Sequence, residues 1–187
     1  MVSTERNTYA DEILELFPWP EGAEAVEVAP DLFLPSTLRV EWPLPQEGPV
    51  TEGLFVEMSA RLRLELEHYR YVTRGLSVEV SGDEGVTGKL LRTLPLRELT
   101  ELPVRWAART AGDAGSLVLF DTNDYRLAAN DGPTDANLKL VARIYALGFA
   151  MQVRPTGAVE DALGLKRSTA ENWVRRAKDR GYVYAEA

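Results

Sequence analysis

The stretch Gly164-Leu-Lys-Arg-Ser-Thr-Ala-Glu-Asn-Trp-Val174 decides how this chain is read. Gly164 ends a short helix predicted from Pro155 to Leu163, because glycine takes up the left-handed conformation that closes a helix at little cost. Leu165, Lys166 and Arg167 then form a connector. Ser168 is placed to cap a second helix that runs to about Arg180, where Gly181 stops it. Ala170 and Trp173, three residues apart, fall on its inner face. Working upstream, Asp131-Gly132-Pro133 is turn chemistry, and Thr134 caps a helix from Asp135 to about Ala150. That helix is apolar almost all round, with Lys139 and Arg143 as its charged stripe, so it needs cover on more than one side. It is expected to pack the C-terminal unit onto the N-terminal body or onto a second subunit.

Charge changes sign along the chain. Residues 1–130 hold 12 basic and 22 acidic side chains, whereas residues 131–187 hold 9 basic and 7 acidic. From Gly164 to Tyr182 the six cations Lys166, Arg167, Arg175, Arg176, Lys178 and Arg180 face only two acids. The net charge of -8 argues against nucleic acid or anionic lipid coating the whole surface, so any such contact must be local. Basic residues also complement the C-terminal end of a helix dipole, so cations there do not by themselves mark a site.

Over Thr156 to Val174 the sequence resembles the helix-turn-helix family of bacterial DNA-binding proteins. Gly164 sits at the turn glycine, Leu163 and Leu165 flank it as core residues, Ala170 takes the small position inside the second helix, and Trp173 takes the large apolar one. Glu160, four before the turn glycine, departs from the alanine usual there. A long helix, this motif and a basic end together look like the C-terminal module of many small actinobacterial and actinophage proteins. A high-GC source also fits the bias of 17 Arg to 4 Lys. The resemblance covers about the last 55 residues and implies double-stranded DNA as the partner. It implies that Lys166, Arg167, Ser168, Glu171, Asn172 and Arg175 read bases in the major groove. Ser168, Thr169, Arg176 and Arg180 would contact phosphates, with Arg154 and Thr156 touching the backbone from the preceding helix. No wing is expected, since only Gly181 to Ala187 follow.

The N-terminal body reads differently. Seven of the 11 prolines fall between Pro18 and Pro49, which disfavours long helices there. A short helix is predicted from Tyr9 to Phe17. Leu38, Val40 and Trp42 alternate with polar residues, as do Leu62, Leu64 and Leu66, then Leu76, Val78 and Val80, which predicts a three-stranded meander. A helix from Leu54 to Tyr71 competes with the middle strand, but the three leucines share one face only in a strand. The connection at His68, Tyr69 and Arg70 lacks the Asn-Gly signal of a tight hairpin. Pro95 opens a helix through Leu99, Leu102 and Trp106, kinked or interrupted by Pro103, and Leu117 to Phe120 reads as a buried strand.

Catalytic and metal chemistry finds little support. With no cysteine, disulfides, thiolate nucleophiles and thiolate metal sites are excluded. Gly82-x-x-Gly85-x-x-Gly88-Lys89 fails the spacing of a phosphate loop, Leu90 replaces its Ser or Thr, and Asp83 and Glu84 would repel phosphate, so a solvated turn is expected. Asp121 to Asp124 lacks the next ligand and the glycine of a calcium loop and reads as a cap or turn. His68 is the single histidine and is expected at the surface. Pairs such as Glu65 and Glu67 are read as solvating strand faces. No cofactor and no enzymatic activity are expected.

The chain is therefore expected to be α+β. A strand-rich acidic N-terminal domain over 1–130, with a few helices, precedes a trihelical helix-turn-helix domain over 134–187. The function expected is sequence-specific DNA binding, as a cytoplasmic transcriptional regulator, with the N-terminal domain dimerising, binding a small effector or recruiting a protein. Alternatives are a DNA-processing accessory of a phage or mobile element, in recombination or packaging, or a protein-interaction module. Met1 to Ala10 is polar and no apolar run nears the roughly 20 residues of a membrane span, so no membrane contact is expected.

Overall fold

The computed structural model describes residues 19–43, 58–80, 85–94, 96–110 and 122–185. In chain order these hold β1 (Ala25–Ala29), β2 (Leu32–Pro35), β3 (Thr37–Pro43), β4 (Met58–Glu67) and β5 (Arg70–Val80). Then come α1 (Gly88–Thr93), α2 (Leu96–Ala107), β6 (Arg109–Thr110), α3 (Thr122–Asn130), α4 (Asp135–Ala150), α5 (Pro155–Leu163) and α6 (Arg167–Asp179). The class is mixed α+β, with two three-stranded antiparallel sheets ordered β1-β2-β6 and β3-β4-β5. The expected helix at Tyr9 to Phe17 and the expected strand at Leu117 to Phe120 lie outside the described residues.

The larger sheet is the meander that alternation predicts. Leu38 pairs with Leu64 and Val40 with Leu62 across β3 and β4, and Leu62 pairs with Leu76 across β4 and β5. Leu38, Val40, Leu62 and Leu64 are buried, each contributing about 1.5 to 3 kcal/mol relative to exposure. Leu76 is an exception at 41% exposure, and Leu66 is half-buried. The competing helix is ruled out over the described residues 58–71. The opposite face of the sheet is an ion-pair network: Arg61 reaches Glu41 and Glu79, while Arg74 reaches Glu65 and Glu67. Both glutamates thus serve the solvated face.

The tight hairpin forms without Asn-Gly. His68 and Tyr69 both take positive φ, 47° and 64°, between the paired residues Glu67 and Arg70. Non-glycine residues rarely adopt that conformation, which is why the turn is hard to read from sequence. His68 is exposed, as expected. Tyr71, fully buried, follows the turn, and its hydroxyl donates to the Pro35 carbonyl at 2.6 Å.

Two further expectations change. Helix α2 continues through the fully buried Pro103, so the proline does not interrupt it. Gly88 and Lys89 open the exposed helix α1 and do not form part of a turn. Strands β1 and β2 of the small sheet lie in the proline-rich stretch and, unlike β3, were not anticipated. Val28, Ala29, Leu32, Leu34 and Pro35 of this sheet are fully buried, and α4 packs against β1. Buried Arg109 at the edge of β6 donates to the Ala108 carbonyl at 3.1 Å and to the Trp106 carbonyl, and burial lowers its pKa.

Helix α4 organises the rest. The Thr134 hydroxyl accepts from the Asn137 amide at 3.3 Å, the cap expected from sequence. The buried Asn137 side chain donates to the Ala128 and Gly132 carbonyls, at 2.7 Å each, and so clamps the end of α3 and the following turn. Every residue from Ile144 to Ala150 is buried. The cover comes from the same chain, through β1, β5, α2, α5 and α6. Its charged stripe is also used: Arg143 donates to the Pro30 carbonyl at 2.7 Å and to Asp31 at 3.0 Å, tying α4 to the β1–β2 turn.

Candidate nucleic-acid interface

Helices α4, α5 and α6 pack on one another pairwise, and small residues set how close they come. A Cβ at Gly148 of α4 would meet Ala158 Cβ and Pro155 Cα at 3.1 Å each, so α5 rests on a glycine. Pro155 occupies the first turn of α5, where its missing amide hydrogen costs nothing. Gly164 closes the helix at φ 63°, and the Leu165 amide donates back to the Glu160 carbonyl at 3.1 Å. The Glu160 side chain, the departure noted above, is half-buried and paired with Arg154 at 3.3 Å.

The start of α6 differs from expectation. Lys166 is the N-cap, with φ -67° and ψ 146°, and Thr169 and Ala170 donate to its carbonyl. Ser168 therefore lies inside the first turn and does not cap the helix. The chain leaves the glycine turn directly into helical geometry at Arg167, two residues before a serine cap would have allowed. No side chain caps this terminus and no acid lies in the first turn, so its orphan amides and positive dipole end are not neutralised by a first-turn side chain.

Helix α6 has two clean sides. Ala170, Trp173, Val174 and Ala177 are buried, with Trp173 at 6% exposure. Lys166, Arg167, Ser168, Glu171, Asn172, Arg175 and Arg176 are all exposed, and Thr169 is half-buried. Two of the cations are held on the helix itself: Arg167 pairs with Glu171 at 2.9 Å and Arg175 with Asp179 at 3.8 Å. The hydrogen bond that Arg167 donates to Glu171, and then the Glu171 charge, raise the Arg167 pKa above its ordinary value. Lys166 and Arg176 make no ion pair among the described residues.

The remaining site residues sit elsewhere. Arg180 pairs with Asp135 at 3.0 Å, on the α4 side, where the Tyr182 hydroxyl donates to the same carboxylate oxygen at 2.6 Å. Lys178 lies 5.2 Å from the Tyr145 ring centre. Arg154 lies along α5 over Gly157, and Thr156 is half-buried in its first turn. One cation was missed from sequence. Arg126 of α3 is exposed, and its side chain crosses the turn, with Nε 3.5 Å from where a Gly164 Cβ would be. No spacing rule links positions 126 and 164.

Among the described residues no group of three or more acidic or histidine side chains is placed to hold a metal ion. No helix among them is long and apolar enough to cross a membrane. Compared with models of protein families, with curated proteins and with solved structures, the chain matches none.

Proposed function

We propose that the chain is a sequence-specific DNA-binding protein, a transcriptional regulator whose α5, turn and α6 act as a helix-turn-helix unit. The observation that carries this reading is the two-sidedness of α6. Its apolar side is buried around Trp173, while Lys166, Arg167, Asn172 and Arg175 stand exposed beside an uncapped N-terminus. In the major groove, arginine pairs with guanine through its two parallel donors, and Asn172 pairs with adenine. Backbone contacts fall to Ser168, Thr169 and Arg176, with Arg126 and Lys166 flanking the turn. Arg180 is engaged by Asp135, so on this reading it holds α6 to α4 and leaves phosphate binding to its neighbours.

The test is binding of the full chain to random and to selected duplexes over a salt series. A DNA face of this kind gives log affinity that falls linearly with log salt, with a slope of about -0.9 for each phosphate neutralised. It also gives a selected sequence bound at least about a thousandfold more tightly than random duplex. Binding without that discrimination would favour an accessory role in DNA processing. Absence of salt-dependent binding would remove DNA altogether.

A further inference from the structure

Away from the exposed side of α6, a groove of about 350 Å³ opens between α2, α4 and α5. Ile144, Leu147 and Met151 form its floor, exposed by only 3, 3 and 6%. Val153, Ala158 and Ala162 extend the apolar lining. An adjoining hollow shares Arg97, Glu101, Met151, Val153 and Arg154 with it, so the groove continues past the end of α4. Cavities of roughly 300 to 1,000 Å³ with an apolar lining and a few convergent polar groups are the usual form of small-molecule sites.

The rim is charged. Arg97 and Arg105 come from α2 and Arg154 from the approach to α5, against Glu101 and Asp161. Arg97 pairs with Glu101, and Arg154 with Glu160. Arg105 is exposed and makes no ion pair among the described residues. Arg97 and Arg154 are each held by an acid, so Arg105 is the guanidinium left to meet a ligand's charge, which matches a monoanion better than a doubly charged phosphate.

Gly157 adds an independent observation. It lies inside α5, where glycine is unfavourable relative to alanine, and its φ is not left-handed. The atoms a side chain there would meet belong to Arg154: a Cβ at Gly157 would stand 2.4 Å from Arg154 Nε and 2.9 Å from Nη2, so the guanidinium would have to swing away. The missing side chain lets this guanidinium lie flat on the helix at the lip of the groove.

We infer that this groove binds a small amphipathic monocarboxylate, its carboxylate held by Arg105 and Arg154 and its apolar body on Ile144, Leu147 and Met151. One wall is α2 and the opposite wall is α5, which leads directly through Gly164 into α6. A ligand spanning both fixes α5 against the N-terminal part of the chain, and any effect on one site is returned to the other in equal measure. That coupling rests on the DNA-binding reading, whereas ligand binding itself does not.

The probes are octanoate and octanol, which share a chain and differ in charge, titrated into the full protein with isotope-labelled methionine methyls. The chain has three methionines, and Met151→Leu assigns the signal from the groove floor. Octanoate is expected to shift the Met151 methyl saturably and to bind about tenfold more tightly than octanol, the scale of a charge-assisted hydrogen bond. Arg105→Gln and Gly157→Ala should each weaken octanoate several-fold, although Gly157→Ala should not lower the melting temperature. Equal affinity for the two probes, no saturable shift, or octanoate binding unchanged in both variants would overturn the site. In a second arm, octanoate should change duplex affinity in the unmutated chain and not in Arg105→Gln. If octanoate binds but duplex affinity stays constant while DNA binding itself is intact, the coupling is wrong and the site stands.

Discussion

Arg167 Nε lies 2.9 Å from Glu171 Oε1, one turn further along α6, so on the DNA-binding reading this cation is partly neutralised before any partner arrives. Both side chains are more than half exposed, and exposed pairs of this kind contribute about 0.2 to 1 kcal/mol. Replacing Glu171 by Gln releases Arg167 and removes a charge that phosphate repels. We expect Glu171→Gln to bind random duplex up to about fivefold more tightly, from that energy range. It should also discriminate less between selected and random sequences, because the carboxylate that would accept from cytosine becomes a weaker, uncharged acceptor. Unchanged binding to random duplex would mean that Arg167 does not face DNA.

On the DNA-binding reading, Arg175 and Arg176 should separate base reading from backbone contact. Arg175→Ala, like Arg167→Ala, should weaken binding to the selected site by about 1 to 3 kcal/mol and relax preference at one base pair. Arg176→Ala should lower affinity evenly across sequences and reduce the salt slope by about one phosphate contact. Competition binding over a panel of single-base variants distinguishes the two patterns. If all three variants bind every duplex as the unmutated chain does, the exposed side of α6 is not the interface.

Stability of the C-terminal helices should depend on one large and one absent side chain. Trp173→Ala empties a site that is 6% exposed and should cost about 3 to 5 kcal/mol. Gly148→Ala adds a methyl where Ala158 and Pro155 already stand at 3.1 Å, and should cost about 1 to 3 kcal/mol despite alanine's better helix propensity. Denaturant midpoints at constant m report both. A stabilised Gly148→Ala would show that α4 and α5 are less closely packed than described here.

Acid should loosen the joint between α4 and α6. The Asp135 carboxyl is held below its ordinary pKa, first by the Tyr182 hydroxyl and then by Lys139 and Arg180, against an opposing effect of desolvation. A depressed folded pKa gives stability that is present above the unfolded value, near about 3.9, and is lost as pH falls through the folded one. Tyr182→Phe removes the leading cause. Its denaturation midpoint should therefore fall less steeply than that of the unmutated chain as pH drops below about 4. Parallel acid limbs for the two proteins would exclude Tyr182 as the source.

Features written in local chemistry were readable from the chain, and features made by distant pairing were not. Thr134, Gly164 and Trp173 announce a cap, a stop and a core position through their own side chains and immediate neighbours. The leucines of β4 share a face through simple alternation. Sheet β1-β2-β6, by contrast, joins Phe33 to Arg109, and no periodicity over two residues of β6 foretells that partner. The place of the His68–Tyr69 turn followed from the strands on either side, but its tight geometry did not, because its positive φ values fall on residues that seldom adopt them. Ser168 looked like a cap because serine is a good one, yet the cap position was fixed by where the glycine turn releases the chain. On the candidate interface, the exposed cations of α6 followed from helical spacing, whereas Arg126 reached the turn only through the packing of α3.

Assembly is the remaining expectation, and it follows from charge and cover together. The segment from Gly164 to Tyr182 carries +4, but Arg167, Arg175 and Arg180 are each already paired with an acid. Residues 1–130, with 12 basic and 22 acidic side chains, carry -10 and repel DNA. One unit then makes few net phosphate contacts, and its affinity at physiological salt should be poor. Two units on one duplex compensate. Because α4 is covered within its own chain, we expect the N-terminal body, and not α4, to join the copies. We expect a homodimer whose two α6 helices lie about 34 Å apart and read a near-palindromic site. Sedimentation of the free chain and of its duplex complex measures this directly: two chains per duplex is the expected result, and one chain bound tightly to an asymmetric site would overturn it.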